Sequence, residues 1–189
     1  MKLSLNWIKK YVDLPDDLTP AKLSYDLTMS TVEVEDAVSL SESLSGLAVG
    51  RILTVEPHPD ADKLRICTVD VVDPAPSTIV CGGCNLAPAQ LVVVAKPGAW
   101  VKWHGEGEPV EIKPAKLRGV MSFGMICAAS EIGLGDLFPA TRPAEIVDLS
   151  DFDIKPGTPV AEALGLDDII LEIDNKSMTN RPDLWGHYG

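Results

Sequence analysis

Apolar positions along this chain change their spacing twice, and the two changes divide it into three stretches. Over the first 39 residues the pattern is helix, helix, strand. Trp7, Ile8, Tyr11 and Val12 share one helical face, and Ser4 or Asn6 can cap its start. Thr19 is placed as N-cap of a second helix, with Pro20 at the first helical position and Leu18 and Leu23 as a hydrophobic staple. Leu27 continues that face. From Thr31 to Val38, Val32 and Val34 alternate with Glu33 and Glu35, the period of a half-buried strand. Serines at 39, 41, 43 and 45 then mark a linker.

From Gly46 the texture becomes short apolar runs broken by Pro and Gly: Leu47 to Val55, Leu64 to Val72, Thr78 to Cys81, Leu91 to Ala95, Ile112 to Val120 and Phe123 to Ala128. Such spacing predicts a small all-β domain. Pro114 makes its run an edge or bulged strand. Past residue 152 a helical pattern returns: Thr158 caps, Pro159 starts, Val160, Ala163 and Leu164 form a face, and Gly165 stops it. Ile169 to Ile173 reads as a strand, and a last helix is expected to begin at Pro182. Neither the first 39 nor the last 37 residues can bury enough surface alone, but their 76 together can. The expectation is a discontinuous domain, 1–39 plus 153–189, into which residues 40–152 are inserted. The last helix meets Gly189 before it could bury anything, the pattern expected of a piece of a longer protein.

With 46% hydrophobic and 23% charged residues, the composition is that of a soluble globular protein. The longest uninterrupted apolar run, Leu91 to Ala95, is far short of a membrane span, and Lys9 and Lys10 interrupt any signal core. Four cysteines without a secretory signal point to reduced thiols in the cytoplasm. A net charge of -12 excludes strong autonomous nucleic-acid binding through a basic surface. Residues 40–152 carry 9 Lys and Arg against 14 Asp and Glu, so any nucleic-acid contact must be local. Lys96, Lys102, Lys113, Lys116 and Arg118 bunch closely enough that they could form one positive strip, but on charge alone a solvated strand face is the favoured reading.

Cys81-Gly82-Gly83-Cys84 has the spacing of a zinc half-site or a dithiol couple. No second pair follows, and Cys67 and Cys127 are isolated, so buried or incidental cysteines are the favoured reading. His58, between Pro57 and Pro59 and close to Asp60, could serve acid–base chemistry, yet two flanking prolines describe a rigid turn better. No phosphate-cradling glycine loop occurs, and no catalytic constellation assembles.

An ordered series of segments carries a resemblance. Val49-Gly50-Arg51-Ile52, His58-Pro59-Asp60-Ala61-Asp62-Lys63-Leu64, Val80-Cys81-Gly82 with Asn85, Lys96-Pro97-Gly98-Ala99, and Lys116 through Glu131 resemble the tRNA-binding OB domain of the endothelial monocyte-activating polypeptide type. The flanks, Ser4 through Pro15 and Asp174 to Gly189 with Asn180-Arg181-Pro182-Asp183-Leu184, resemble the start of the phenylalanyl-tRNA synthetase beta-subunit family. One departure stands out: relatives of the OB module usually have Ala-Pro before the Asn, whereas this chain has Gly83-Cys84, which makes the C-x-x-C a local substitution.

The resemblance implies an α+β chain, a five-stranded OB-fold β-barrel inserted into a small discontinuous α/β domain formed by the two chain ends. It implies a cytoplasmic heterotetrameric ligase of two alpha and two beta subunits that joins phenylalanine to its tRNA using ATP and magnesium. The synthetic site lies in the alpha subunit. The present segment would be noncatalytic, without a metal or cofactor of its own, in auxiliary contact with tRNA, the alpha subunit and the rest of the beta subunit. No DNA or membrane contact is implied. Lys63, Arg65, Lys96, Lys113, Lys116 and Arg118 are the candidate phosphate contacts on the rim of such a barrel. Asn85, Ser122, Gly124, Met125, Ser130 and Glu131 occupy family segments implied to face RNA, although Gly124 and Met125 suit a barrel corner and core equally. Trp100 and Trp103 could stack a base or pack under a loop. The alternatives are a freestanding OB-fold tRNA-binding or chaperone-like dimer, and a zinc or dithiol protein.

Overall fold

The structure, a computed structural model, describes every residue except Asp16 and Asn175. In chain order its strands are β1 (Lys2–Ser4), β2 (Glu33–Ser39), β3 (Leu47–His58), β4 (Ala61–Asp70), β5 (Ser77–Cys81), β6 (Leu91–Ala95), β7 (Trp100–Lys102), β8 (Pro109–Glu111), β9 (Ala115–Leu117), β10 (Val120–Ser122), β11 (Met125–Ile126) and β12 (Ile169–Asp174). Its α-helices are α1 (Leu5–Ile8), α2 (Pro20–Ser30) and α3 (Val160–Ala163). Among the described residues no helix is long and apolar enough to cross a membrane. The architecture is mostly β, in two units: Met1–Glu42 with Gly165–Gly189, and Ser43–Leu164.

The first unit is an antiparallel sheet ordered β1-β12-β2, so a strand from one chain end lies between two from the other. Period-two alternation puts Leu171 and Ile173 on its buried face. Leu23 and Leu27 of α2 pack there with Val32 and Val34. The Thr19 hydroxyl accepts from Lys22 N at 3.2 Å, capping α2 as its sequence dictates. Ser4 caps α1, but α1 ends at Ile8, where the sequence pattern runs on to Val12. Leu5 is buried and Trp7 stacks on His187 at 4.2 Å, but Trp7, Tyr11 and Val12 stay about half exposed, which leaves a longer helix little to stabilise it. The expected helix at Pro182 is likewise only one 3-10 turn, Pro182–Leu184.

Asp168 stitches this unit across the sequence. Its carboxylate accepts from the Ser4 hydroxyl, from Asn6 N at 2.9 Å and from Ile169 N at 2.7 Å. Partial burial pulls its pKa upward, but the bonds from Ser4, Asn6 and Ile169 outweigh that and hold it below the ordinary aspartate value.

The second unit is built on an antiparallel sheet ordered β11-β6-β3-β4-β5. The long β3 pairs with β6 through Leu47–Arg51 and with β4 through Arg51–His58; one register shift, at Ile52/Thr54, follows the change of partner, and a second, at Pro57/His58, adjoins the β3-β4 turn. Ile52, Cys67, Val69, Ile79, Val92, Val94 and Ile126 form the core on one face. Gly50 is needed there, because a Cβ would lie 2.7 Å from both Val69 Cγ1 and Val94 Cγ2. Two small hairpins, β7-β8 and β9-β10, flank the sheet; the first of these has no counterpart in the hydrophobic pattern. Phe123 N donates to Thr78 O at 2.9 Å, tying the end of β10 to β5, yet among the described residues no ladder joins β11 to β5.

Residues 153–164 pack with this second unit, which moves the expected boundary at 152 to 164. Val49 N donates to Thr158 O at 2.9 Å, Gly157 N to Val49 O at 2.7 Å, and Val160 is fully buried. Pro159 occupies the cap position of α3, and the Thr158 side chain forms no cap bond.

Candidate nucleic-acid interface

The site grows from a turn. His58, 5% exposed at the end of β3, accepts from Asp60 N through Nδ1 at 3.1 Å, and its Nε2 lies 3.2 Å from Leu117 O. A neutral ring carrying its proton on Nε2 satisfies both bonds, so His58 is a fastener rather than an acid–base group. It fixes the β9-β10 hairpin, whose two-residue turn is Arg118 (φ 44°) and Gly119 (φ 94°), against the β3-β4 turn. Lys116 and Arg118, both exposed, are thereby held beside the hairpin that carries Lys63.

Behind these cations lies a cavity of about 620 Å³. Leu64, Leu117, Met125 and Ile146 give it apolar walls; Ser122 and Glu131 stand inside; Trp103, His104, Lys113 and Arg142 edge it. Gly124 (φ 136°) lets the chain pass Ala95, since a Cβ there would sit 2.7 Å from Ala95 O. The Ser122 hydroxyl accepts from Val80 N at 3.1 Å and donates to Gly124 O at 3.0 Å, so it joins β10 to β5. Glu131 is 8% exposed and accepts from Ala128 N through Oε2 at 2.8 Å. Burial raises its pKa, against the lowering effect of the Ala128 and His104 backbone N–H groups and the His104 ring. Among the described residues no Lys or Arg forms an ion pair with it.

The structure therefore brings Lys113, Ser122, Gly124, Met125, Ser130 and Glu131 around one cavity, with Lys63, Lys116 and Arg118 on the adjoining hairpins. Other candidates are engaged elsewhere. Lys96 pairs with Asp73 at 2.9 Å, and Arg65 donates to the Asp62 and Leu64 carbonyls, both at 3.0 Å. The Asn85 carboxamide is spent on the backbone of Ile146. Lys113 is partly neutralised by Glu111 at 2.8 Å. The cations that the sequence bunches together are thus divided among different partners. Arg142 was not foreseen; its loop is fixed by Glu145, which accepts from Thr141 N at 2.6 Å and Arg142 N at 3.1 Å. Those bonds, the Thr141 N–H first, lower the Glu145 pKa to about 2. The only signal for it was the oppositely charged Arg142-x-x-Glu145 pair, which the structure brings to 3.3 Å.

Cys67, Cys81 and Cys127 lie near one another inside the second unit, but as buried thiols. Burial raises the thiol of Cys67 to about 12 and that of Cys81 to about 11, and drives Cys127 up further. Cys84 is exposed. Thiols held protonated are poor nucleophiles and ligands. Among the described residues no group of three or more His, Cys, Asp or Glu side chains could hold a metal ion.

Residues 47–148 match the family described as "Putative tRNA binding domain". The chain belongs to this tRNA-binding domain family. Along its whole length it is similar to phenylalanine–tRNA ligase beta subunits. It is 42% identical over 192 residues to that of Latilactobacillus sakei, covering all of this chain and 22% of the relative. Identity is 41% to the Synechocystis protein and 43% to that of Oceanobacillus iheyensis, each over 97% of this chain and 21% and 22% of theirs. The chain thus spans about a fifth of the length of the curated relatives it matches. Solved structures similar to parts of this member of the tRNA-binding domain family include the C-terminal domain of Plasmodium vivax p43 (26% identity, 42% of this chain and 43% of that one, TM-score 0.33). Another is a MetRS related protein from Pyrococcus horikoshii (19% identity, 59% and 85%, TM-score 0.40).

Proposed function

We propose that this chain is a noncatalytic tRNA-binding and structural module of a phenylalanine–tRNA ligase beta subunit, acting in the cytoplasm within a heterotetramer with alpha subunits. The observation that carries the reading is identity of about 40% along the entire chain to such subunits, joined to a tRNA-binding family match over residues 47–148. ATP and magnesium belong, in this reading, to chemistry performed outside this chain. The sheet of the second unit is taken as a five-stranded OB barrel, supported by the Phe123–Thr78 and Val80–Ser122 bonds between β5 and β10. It is inserted between the two pieces of a discontinuous α/β domain, supported by the pairing of β12 with β1 and β2.

Contact with tRNA is auxiliary and local, through Lys63, Lys116, Arg118 and the cavity edge. The excess of acidic residues limits attraction to that patch. Fluorescence anisotropy with tRNA across a salt series tests this. Binding should weaken with salt, and the Lys116→Ala/Arg118→Ala double variant should show a slope shallower by up to roughly 1.4–1.8, about 0.7–0.9 per lost phosphate contact. Absence of binding at low salt would leave this segment a purely architectural role.

A further inference from the structure

We propose that the cavity between β4, β5 and the β9-β10 hairpin captures a single unstacked guanine base of single-stranded RNA, with the Glu131 carboxyl reading its N–H edge. This deepens, and rests on, the reading of the unit as an RNA-binding module. The cavity's volume of about 620 Å³ lies within the range of small-ligand sites, about 300–1,000 Å³. Its apolar walls suit the π-faces of a base rather than a phosphate or a sugar. At its edge Trp103 leaves 54% of its surface exposed, an indole free to stack.

Polarity inside decides which base. Ser122 already accepts one hydrogen bond and donates another, so it has no proton to offer. Glu131 uses Oε2 on Ala128 N and is faced by the His104 N–H as well, and a carboxylate with about four acceptor sites keeps capacity for further donors. An interior of acceptors selects a ligand edge of donors. Guanine presents N1–H and the 2-amino group side by side. Adenine and cytosine present one amino group beside an acceptor nitrogen, and uracil one N–H between two carbonyls. Phosphates are repelled from the carboxylate and fall to Lys116 and Arg118 outside, while the Arg142 guanidinium is paired with Glu145 at 3.3 Å. A buried carboxyl without a cation partner is costly to keep, and such groups concentrate at functional sites.

The test uses fluorescein-labelled pentaribonucleotides UUNUU, with N as guanosine, inosine, adenosine, cytidine or uridine, and anisotropy at one low salt concentration. Guanosine should bind about tenfold tighter than uridine, with inosine between because it lacks the 2-amino group. Glu131→Gln should flatten the series in a variant that melts no lower than the parent, and Leu64→Trp, which fills the cavity, should remove binding of the guanosine oligomer. Equal affinities across the series, no binding of any pentamer up to millimolar, or a preference unchanged in Glu131→Gln each overturn the proposal. If tRNA binds with a steep salt slope while the pentamers show no preference, the base pocket fails and the module reading stands. If guanosine is preferred but tRNA does not bind, the pocket stands and the tRNA reading fails.

Discussion

Asn85 and Ile146, 61 residues apart, hold each other through two reciprocal hydrogen bonds: Asn85 Nδ2 donates to Ile146 O at 3.1 Å, and Ile146 N donates to Asn85 Oδ1 at 2.9 Å. The side-chain amide copies the pairing of a strand neighbour. It seats Ile146, 5% exposed, in the sheet's core and on the cavity wall. Asn85→Ala should destabilise the second unit by about 1–3 kcal/mol, since both backbone groups of Ile146 lose their partner. Thermal melting followed by circular dichroism checks it, and Asn85→Asp, which keeps the acceptor alone, should also melt below the parent.

Glu131 makes stability depend on pH in an unusual direction. Its folded pKa is raised, so its contribution is fully present below the unfolded carboxylate value of about 4.3 and is lost as pH rises through the folded value. The groups facing it are the Cys81 and Cys127 thiols, held protonated, and His104. Glu131→Gln should match the parent's melting temperature near pH 4 and exceed it toward pH 8.

Asp168 behaves oppositely. Its lowered pKa contributes stability above the ordinary aspartate value of about 3.9, and the contribution declines as pH falls toward the folded value. Asp168→Ala should cost the first unit about 1–3 kcal/mol at pH 7, through loss of the bonds from Ser4 and Asn6. The gap from the parent should narrow in titrations below pH 4.

Gly124→Ala meets both a positive φ and the Ala95 carbonyl, 2.7 Å from the new Cβ. A drop of about 1–3 kcal/mol is expected, from strain that the surrounding strands cannot relax. Loss of tRNA affinity larger than the loss of folded protein, measured at a temperature where the variant is fully folded, would show that the β10-β11 turn also sets the shape of the cavity.

Period and punctuation in the sequence determined the helix capped by Thr19, the strands β3 to β6, and the change of texture at Gly46, because caps, alternation and turn residues act within a few positions. The family segments likewise pointed to the residues now found around the cavity, from Ser122 to Glu131. Other features were decided only by tertiary structure. Whether residues 153–164 belong to the second unit depends on backbone bonds with Val49, over 100 positions away, and α1 ends at Ile8, its expected continuation at Tyr11 and Val12 being half exposed. The hairpin of β7 and β8 holds too few apolar residues to announce itself. Which polar candidates are free was also invisible in the sequence: Asn85, Arg65 and Lys96 are occupied by distant or neighbouring partners, while Glu131 has no Lys or Arg partner among the described residues. A residue's type fixes the bonds it can make, but only the folded chain decides which groups come within reach to claim them.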